Sequence, residues 1–235
     1  MKTKRSEKFR SITGTFVLSD NRISKHVLIG LLAILLASVV VASAQTVNVL
    51  MLPDISAWHT KSFSGETSYQ LVSVDGRQAI RAVSNRSASG LVREIEVDLT
   101  KTPYLNWSWK IESTLGNVEE TKKDGDDYVA RVYVVISGGL FFWRTRAINY
   151  VWASKQAKDS SWPNAFTDNV VMLAVGSGAE YAGQWVTEKR NVLQDIKKLH
   201  GIDNTRIDAV AIMTDTDNSN KTATAYYGDI YFTAD

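Results

Sequence analysis

The chain has 235 residues, a formal net charge of +2, three prolines and no cysteine, and it is 44% hydrophobic and 10% aromatic. That balance belongs to a globular protein rather than a disordered one. Without cysteine there is no disulfide framework and no thiolate nucleophile, and two well-separated histidines beyond residue 44, His59 and His200, do not make a His-rich zinc site.

Residues 1–26 are polar and basic, Val27–Val41 is free of charge, and Ala42-Ser43-Ala44 follows. A basic stretch, an apolar stretch and a small-x-small ending describe a secretory signal peptide, with cleavage expected after Ala44. The long basic stretch keeps an uncleaved anchor as the competitor, although the apolar run is shorter than the roughly 20 residues a spanning helix prefers. The expected location is periplasmic or otherwise extracytoplasmic. The alternative is anchoring in the inner membrane facing the periplasm, with membrane contact through this segment only. Residues 1–44 hold seven Lys/Arg against Glu7 and Asp20; removing that +5 from the whole-chain +2 leaves −3. A nucleic-acid partner therefore has no support in the charge balance. Residues 45–57 read as a short lead, and residues 58–235 as one domain long enough to hold a single core.

The rest reads as a succession of strands. Tyr69–Val74, Asp75-Gly76 and Arg77–Val83 make a hairpin, because Asp-Gly suits a two-residue turn with positive φ. In 91–99, Leu91, Ile95, Val97 and Leu99 alternate with acids, the mark of a half-buried strand. After Pro103, Leu105, Trp107, Trp109 and Ile111 share a face; their aliphatic company favours core packing over a sugar-stacking platform. Tyr128–Ile136 is expected as a strand whose core face is Tyr128, Ala130, Val132, Val134 and Ile136. Its other face carries Asp127, Arg131 and Tyr133. Such an arginine needs a carboxylate partner, and Asp229 is the candidate. Phe141–Ala153 is expected as a strand placing Arg146 and Trp152 on one face, either a basic–aromatic binding face or an edge protected by charge. Residues 154–169 read as a loop anchored by Trp162-Pro163. Val170–Val175 is a buried strand, and the Gly176-Ser177-Gly178 after it lacks the lysine and helix of a phosphate loop.

One helix is expected over Lys189–Leu199, with Val192, Leu193, Ile196 and Leu199 inward and Gly201 as its C-cap. His200 in its last turn reads as a cap residue. Finally, Ala209–Met213 and Ala225–Phe232 are expected to pair as antiparallel strands. Tyr226, Ile230 and Phe232 would share one face, opposite Tyr227, Asp229 and Tyr231. The loop between them carries Asp215, Asp217, Asn218, Ser219 and Asn220. These short oxygen-bearing side chains suit a hard cation such as calcium or a hydroxylated ligand; they equally suit a turn bonded to its own backbone.

LNWSWKI at Leu105–Ile111, GDDYVARVYVV at Gly125–Val135, INYVWA at Ile148–Ala153, Trp185–Gly201 with Glu188, Arg190 and Asp195, and the DTDN and YYGDIYF of the last two runs occur in this order. Together they resemble the domain of unknown function 3047 family of bacterial exported proteins, over about Trp58–Phe232. The resemblance implies an all-β fold, an antiparallel β-sandwich of jelly-roll or galactose-binding-like type, with the one short helix near 189–199. It implies no assigned activity. It also implies that Asp229, a carboxylate in the final strand, helps hold a structural calcium; no other cofactor is expected.

The functional expectation is a non-catalytic module binding a glycan or another envelope polymer, with Asp127, Arg131, Tyr133, Arg146, Trp152, Asp215, Asp217 and Asn218 as ligand-binding candidates. The alternatives are an assembly factor docking a protein partner, and a glycan-active enzyme using Asp126, Asp127, Asp215 and Asp217. A serine triad has no support, because no G-x-S-x-G elbow occurs.

Overall fold

The computed structural model describes residues 45–140 and 142–235. The expected signal peptide or anchor lies outside the described residues. Among the described residues no helix is long and apolar enough to cross a membrane.

Two sheets face one another. The first runs in the order β11 (Val186–Asn191), β6 (Tyr104–Ile111), β13 (Thr222–Thr233), β4 (Arg77–Asn85), β3 (Ser68–Val74), with β1 (Thr46–Leu50) also on β13. The second runs β2 (His59–Ser64), β5 (Ala88–Asp98), β12 (Arg206–Asp215), β7 (Arg131–Ile136), β8 (Arg146–Ala153), β10 (Val170–Ser177), β9 (Ser161–Pro163). All pairings are antiparallel except β8 with β10. This is the all-β sandwich that the alternating patterns foretold.

The core lies between the sheets and its centre is aromatic. Trp107 and Trp109 from β6 meet edge to face, with centroids 5.5 Å apart at 89°. From the opposite sheet Tyr150 reaches Trp107 at 5.4 Å and Trp152 reaches Trp109 at 5.9 Å. A smaller cluster of Tyr128, Val151, Ala153, Met172 and Ala174 packs separately from that core, with Trp162 against it. Trp162 stacks on Tyr128 with centroids 6.4 Å apart, so it does anchor the 154–169 segment, which is not all loop: its Ser161–Pro163 form β9, paired with β10.

The Asp75-Gly76 hairpin is as expected, with φ of 52° and 72° joining β3 to β4. Five other expectations change. Ala209–Met213 and Ala225–Phe232 do not pair with each other: β12 lies between β5 and β7 in one sheet, and β13 beside β6 in the other. The chain crosses from sheet to sheet at 216–221 instead of folding back as a hairpin. The faces of β13 also differ. A bulge at Gly228-Asp229 shifts the alternation, so Tyr227, Ile230 and Phe232 point into the core together, while Tyr226 and Tyr231 are only half-buried. The bulge sits where the strand bonded to that edge of β13 changes from β4 to β1.

β8 is the third change. It begins at Arg146, after a 3₁₀ turn at Phe142–Arg144, and is interior, between β7 and β10. Neither an edge strand nor a basic–aromatic face forms, because one side of β8 meets the main core and the other the smaller cluster. Likewise β7 begins at Arg131 rather than Tyr128. The helix, α1, spans Val192–His200, and Lys189–Asn191 belong to β11. Asn191 caps it by accepting from the Gln194 N–H, and Gly201 ends it at φ 65°.

Candidate functional site

The site is built where two loops meet at one end of the second sheet. The first is the 3₁₀ turn Lys123–Gly125 with Asp126, Asp127 and Tyr128; the second follows β12 from Asp215 to Asn220. Asp127 is 0% exposed, and its carboxylate accepts from the backbone N–H groups of Asn218 and Ser219. Asp215 returns the clamp. The Tyr128 N–H donates to Asp215 Oδ1 and the Asp215 N–H to the Tyr128 carbonyl, both at 3.2 Å. Asp127 and Asp215 therefore bond across the two segments, not merely within their own turns.

Arg131 opens β7 with its side chain turned away from the core-facing Val132 and Val134. Its carboxylate partner is Asp215, not Asp229. Nη2 donates to Asp215 Oδ2 and also to the Asp126 carbonyl at 2.6 Å; Nη1 donates to the Tyr133 hydroxyl at 2.9 Å. The guanidinium lies 4.3 Å over the Tyr128 ring. Both charges are nearly out of water, with 4% and 3% of their side chains exposed. Burial pushes the Asp215 carboxyl above the usual carboxylate range, with Arg131 opposing. Burial also disfavours the Arg131 cation, yet Asp215 holds it protonated.

Asp126 Oδ2 accepts from Asn164 Nδ2 at 2.8 Å, and Asn164 Oδ1 accepts from the Phe166 N–H at 3.0 Å. Among the described residues, buried Asp126 Oδ1 has no hydrogen-bond partner. Burial raises the Asp126 carboxyl, against Arg131 and Asn164; burial followed by the neighbouring Asp127 charge raises Asp217.

Together these groups line a cavity of about 480 Å³, shared with Tyr133, Met213, Asp217, Asn218, Phe63 and Phe166. Phe63 and Phe166 are 68% and 55% exposed at its rim. In the cavity wall the structure thus unites Arg131, Tyr133, Asp215, Asp217 and Asn218 of the sequence candidates, and Asp127 lies behind it, with a carboxylate oxygen within 4.8 Å of those of Asp215 and Asp217.

Arg146 and Trp152 are not among them. Arg146 Nη1 donates to the His200 carbonyl at 3.2 Å, and Trp152, 1% exposed in the core, donates to the Gly178 carbonyl at 3.0 Å. His200 Nε2 lies 3.1 Å from the Ala147 carbonyl, a packing role at the helix end. Asp229 belongs to the first sheet, where Oδ1 accepts from the Leu52 N–H at 3.0 Å. It borders a second cavity, of about 450 Å³, with Arg77, Trp185 and Tyr231. Sequence reasoning missed Phe63, Asn164 and Phe166. Nothing in their local pattern marks them, since each is brought in by strand pairing or by the loop that packs on Tyr128.

A family model for a protein of unknown function, DUF3047, matches residues 56–231. The chain belongs to the DUF3047 family. No curated protein sequence matches it. Among solved structures, this DUF3047 chain is similar to the family 11 carbohydrate-binding module of the cellulosomal cellulase Lic26A-Cel5E of Clostridium thermocellum, at 12% identity and a TM-score of 0.42 over 81% of this chain and 94% of that one. It is also similar to the xyloglucanase domain of NopAA, a type three effector from Sinorhizobium fredii, in complex with cellobiose. There the identity is 11% and the TM-score 0.44, over 75% of this chain and 92% of the other. Similarities of this size do not say what the DUF3047 chain binds.

Proposed function

We propose that the protein is an exported, non-catalytic module that binds a glycan of the cell envelope in the cavity at Arg131. The observation that carries this reading is the composition of that cavity. Exposed Phe63 and Phe166 rings stand beside the carboxylates of Asp126 and Asp217 and the amides of Asn164 and Asn218. A sugar presents an apolar face of C–H groups and an edge of hydroxyls, and it needs this pairing of ring and hydrogen-bond partner. Hydrolysis is the weaker reading because two of the clustered acids are engaged: Asp127 holds backbone N–H groups, and Asp215 holds Tyr128 and Arg131.

Arg131→Ala would be a poor test, since it removes half of a buried ion pair. Phe63→Ala and Phe166→Ala are better, since both rings are exposed at the cavity rim. The purified protein should be retained on an immobilised envelope polysaccharide, and each variant should weaken retention at least about tenfold, or ~1.4 kcal/mol, at an unchanged melting temperature. A wild-type protein that passes unretarded over every envelope glycan, or that releases reducing ends from one, would overturn the reading.

A further inference from the structure

We infer that Asp127, Asp215 and Asp217 form a site for a divalent cation of calcium's size beside this cavity, which Asp215 and Asp217 line. Each of the three offers one carboxylate oxygen, and these oxygens all lie within 4.8 Å of one another. Calcium bonds oxygen at about 2.3–2.6 Å, so three oxygens around one ion stand up to about 4.5 Å apart, close to the observed spread; magnesium, at about 2.0–2.1 Å, demands a tighter set. The carboxylates are already aimed. Backbone N–H groups of Asn218 and Ser219 hold Asp127, and that of Tyr128 holds Asp215. Each carboxylate oxygen has a second lone pair, and hydrogen bonds of this kind are what orient metal ligands.

The second observation is independent of the cluster. Asp126, 5% exposed and lining the same cavity as Asp215 and Asp217, has a buried Oδ1 with no hydrogen-bond partner among the described residues. A buried carboxylate oxygen without a partner is costly. A cation beside the cavity, or water on that cation, supplies the missing partner. The positive charge at hand does not: Arg131 is engaged by Asp215, the Asp126 carbonyl and Tyr133, all through its terminal nitrogens. The site draws its ligands from both loops, so a bound ion would also pin them together. It stands apart from Asp229, which lies in the other sheet.

The test uses the metal alone and does not depend on any glycan. Calcium is titrated calorimetrically into the chelator-treated, purified full-length protein. One ion should bind per chain and raise the melting temperature. Asp217→Asn, at the most exposed of the three ligands, should weaken binding at least about tenfold. Asp229→Asn should bind as the wild type does. No uptake at about 10 mM calcium, well above the millimolar affinity of weak extracellular sites, would overturn the inference. So would uptake that Asp217→Asn leaves intact or Asp229→Asn abolishes. Should Asp217→Asn unfold, terbium emission sensitised by the nearby tyrosines and displaced by calcium gives the same reading on the wild type; its absence counts against the site.

Discussion

Arg131 and Asp215 show how a single pair sets local stability. Each charge is stripped of water, and what stabilises each is the other together with the Tyr133 hydroxyl and backbone groups at Asp126 and Tyr128. Removing one partner leaves the other buried and uncompensated. Arg131→Ala should therefore cost about 3–5 kcal/mol in urea unfolding, with much of that loss recovered in the double variant Arg131→Met/Asp215→Leu. Gly125 is as exacting for a steric reason. A Cβ there would sit 2.6–2.7 Å from the Glu119 backbone, so Gly125→Ala must displace the turn that presents Asp126 and Asp127. A loss of about 1–3 kcal/mol is expected by the same measurement, together with weaker calcium uptake. Glu188 gives a pH signature. Burial pushes its carboxyl above the usual 4.5, with Lys158 and Arg190 opposing, and Oε1 has no hydrogen-bond partner among the described residues. The folded chain therefore holds this proton more tightly than the unfolded chain does. The stability it contributes is complete below pH 4.5 and lost as pH rises through the raised value. Glu188→Gln should remove this slope, so the stability difference between wild type and variant shrinks or reverses as denaturation is repeated from pH 7 down to 4.5.

At the scale of elements, the helix shows what local chemistry can dictate. Asn191 accepts from the Gln194 N–H at 3.0 Å and Gly201 takes a left-handed conformation, so α1 begins and ends where its caps stand. Asn191→Ala should cost about 1 kcal/mol, read as a fall in melting temperature with little change at the cavity. The helix was legible in its apolar spacing, but its start was not. Lys189 and Arg190 continue the period in sequence while pairing with Asn106 and Leu105 of β6 in space. β8 teaches the complementary lesson. Its alternation of Arg146, Ile148, Tyr150 and Trp152 looked two-faced, yet Tyr150 and Trp152 are in the main core and Val151 and Ala153 in the smaller one. The second layer that buries the far face comes from Tyr128 and from Trp162 of the 154–169 segment, and the pattern of β8 alone carries no sign of it.

For the molecule as a whole, stability rests on the aromatic contact between sheets. Trp107 touches Trp109 in its own strand and Tyr150 across the gap, and it is 1% exposed. Trp107→Ala should cost about 3–5 kcal/mol, with both sheets unfolding in the same transition by far-ultraviolet and fluorescence probes. The amino-acid sequence by itself determined the two-layer all-β body, the Asp-Gly hairpin, the tryptophan core and the short helix. These follow from side-chain alternation and turn chemistry, which act over a few residues. It also identified most of the polar residues of the cavity by type. Only the tertiary structure decided which groups meet. Arg131 finds Asp215 at a separation of 84 residues and Asp126 finds Asn164 at 38. A period of two tells which face a side chain takes but not which strand lies beside it. So β12 and β13, adjacent in sequence, stand in opposite sheets, and the crossing between them gathers the carboxylates of Asp215 and Asp217 against that of Asp127.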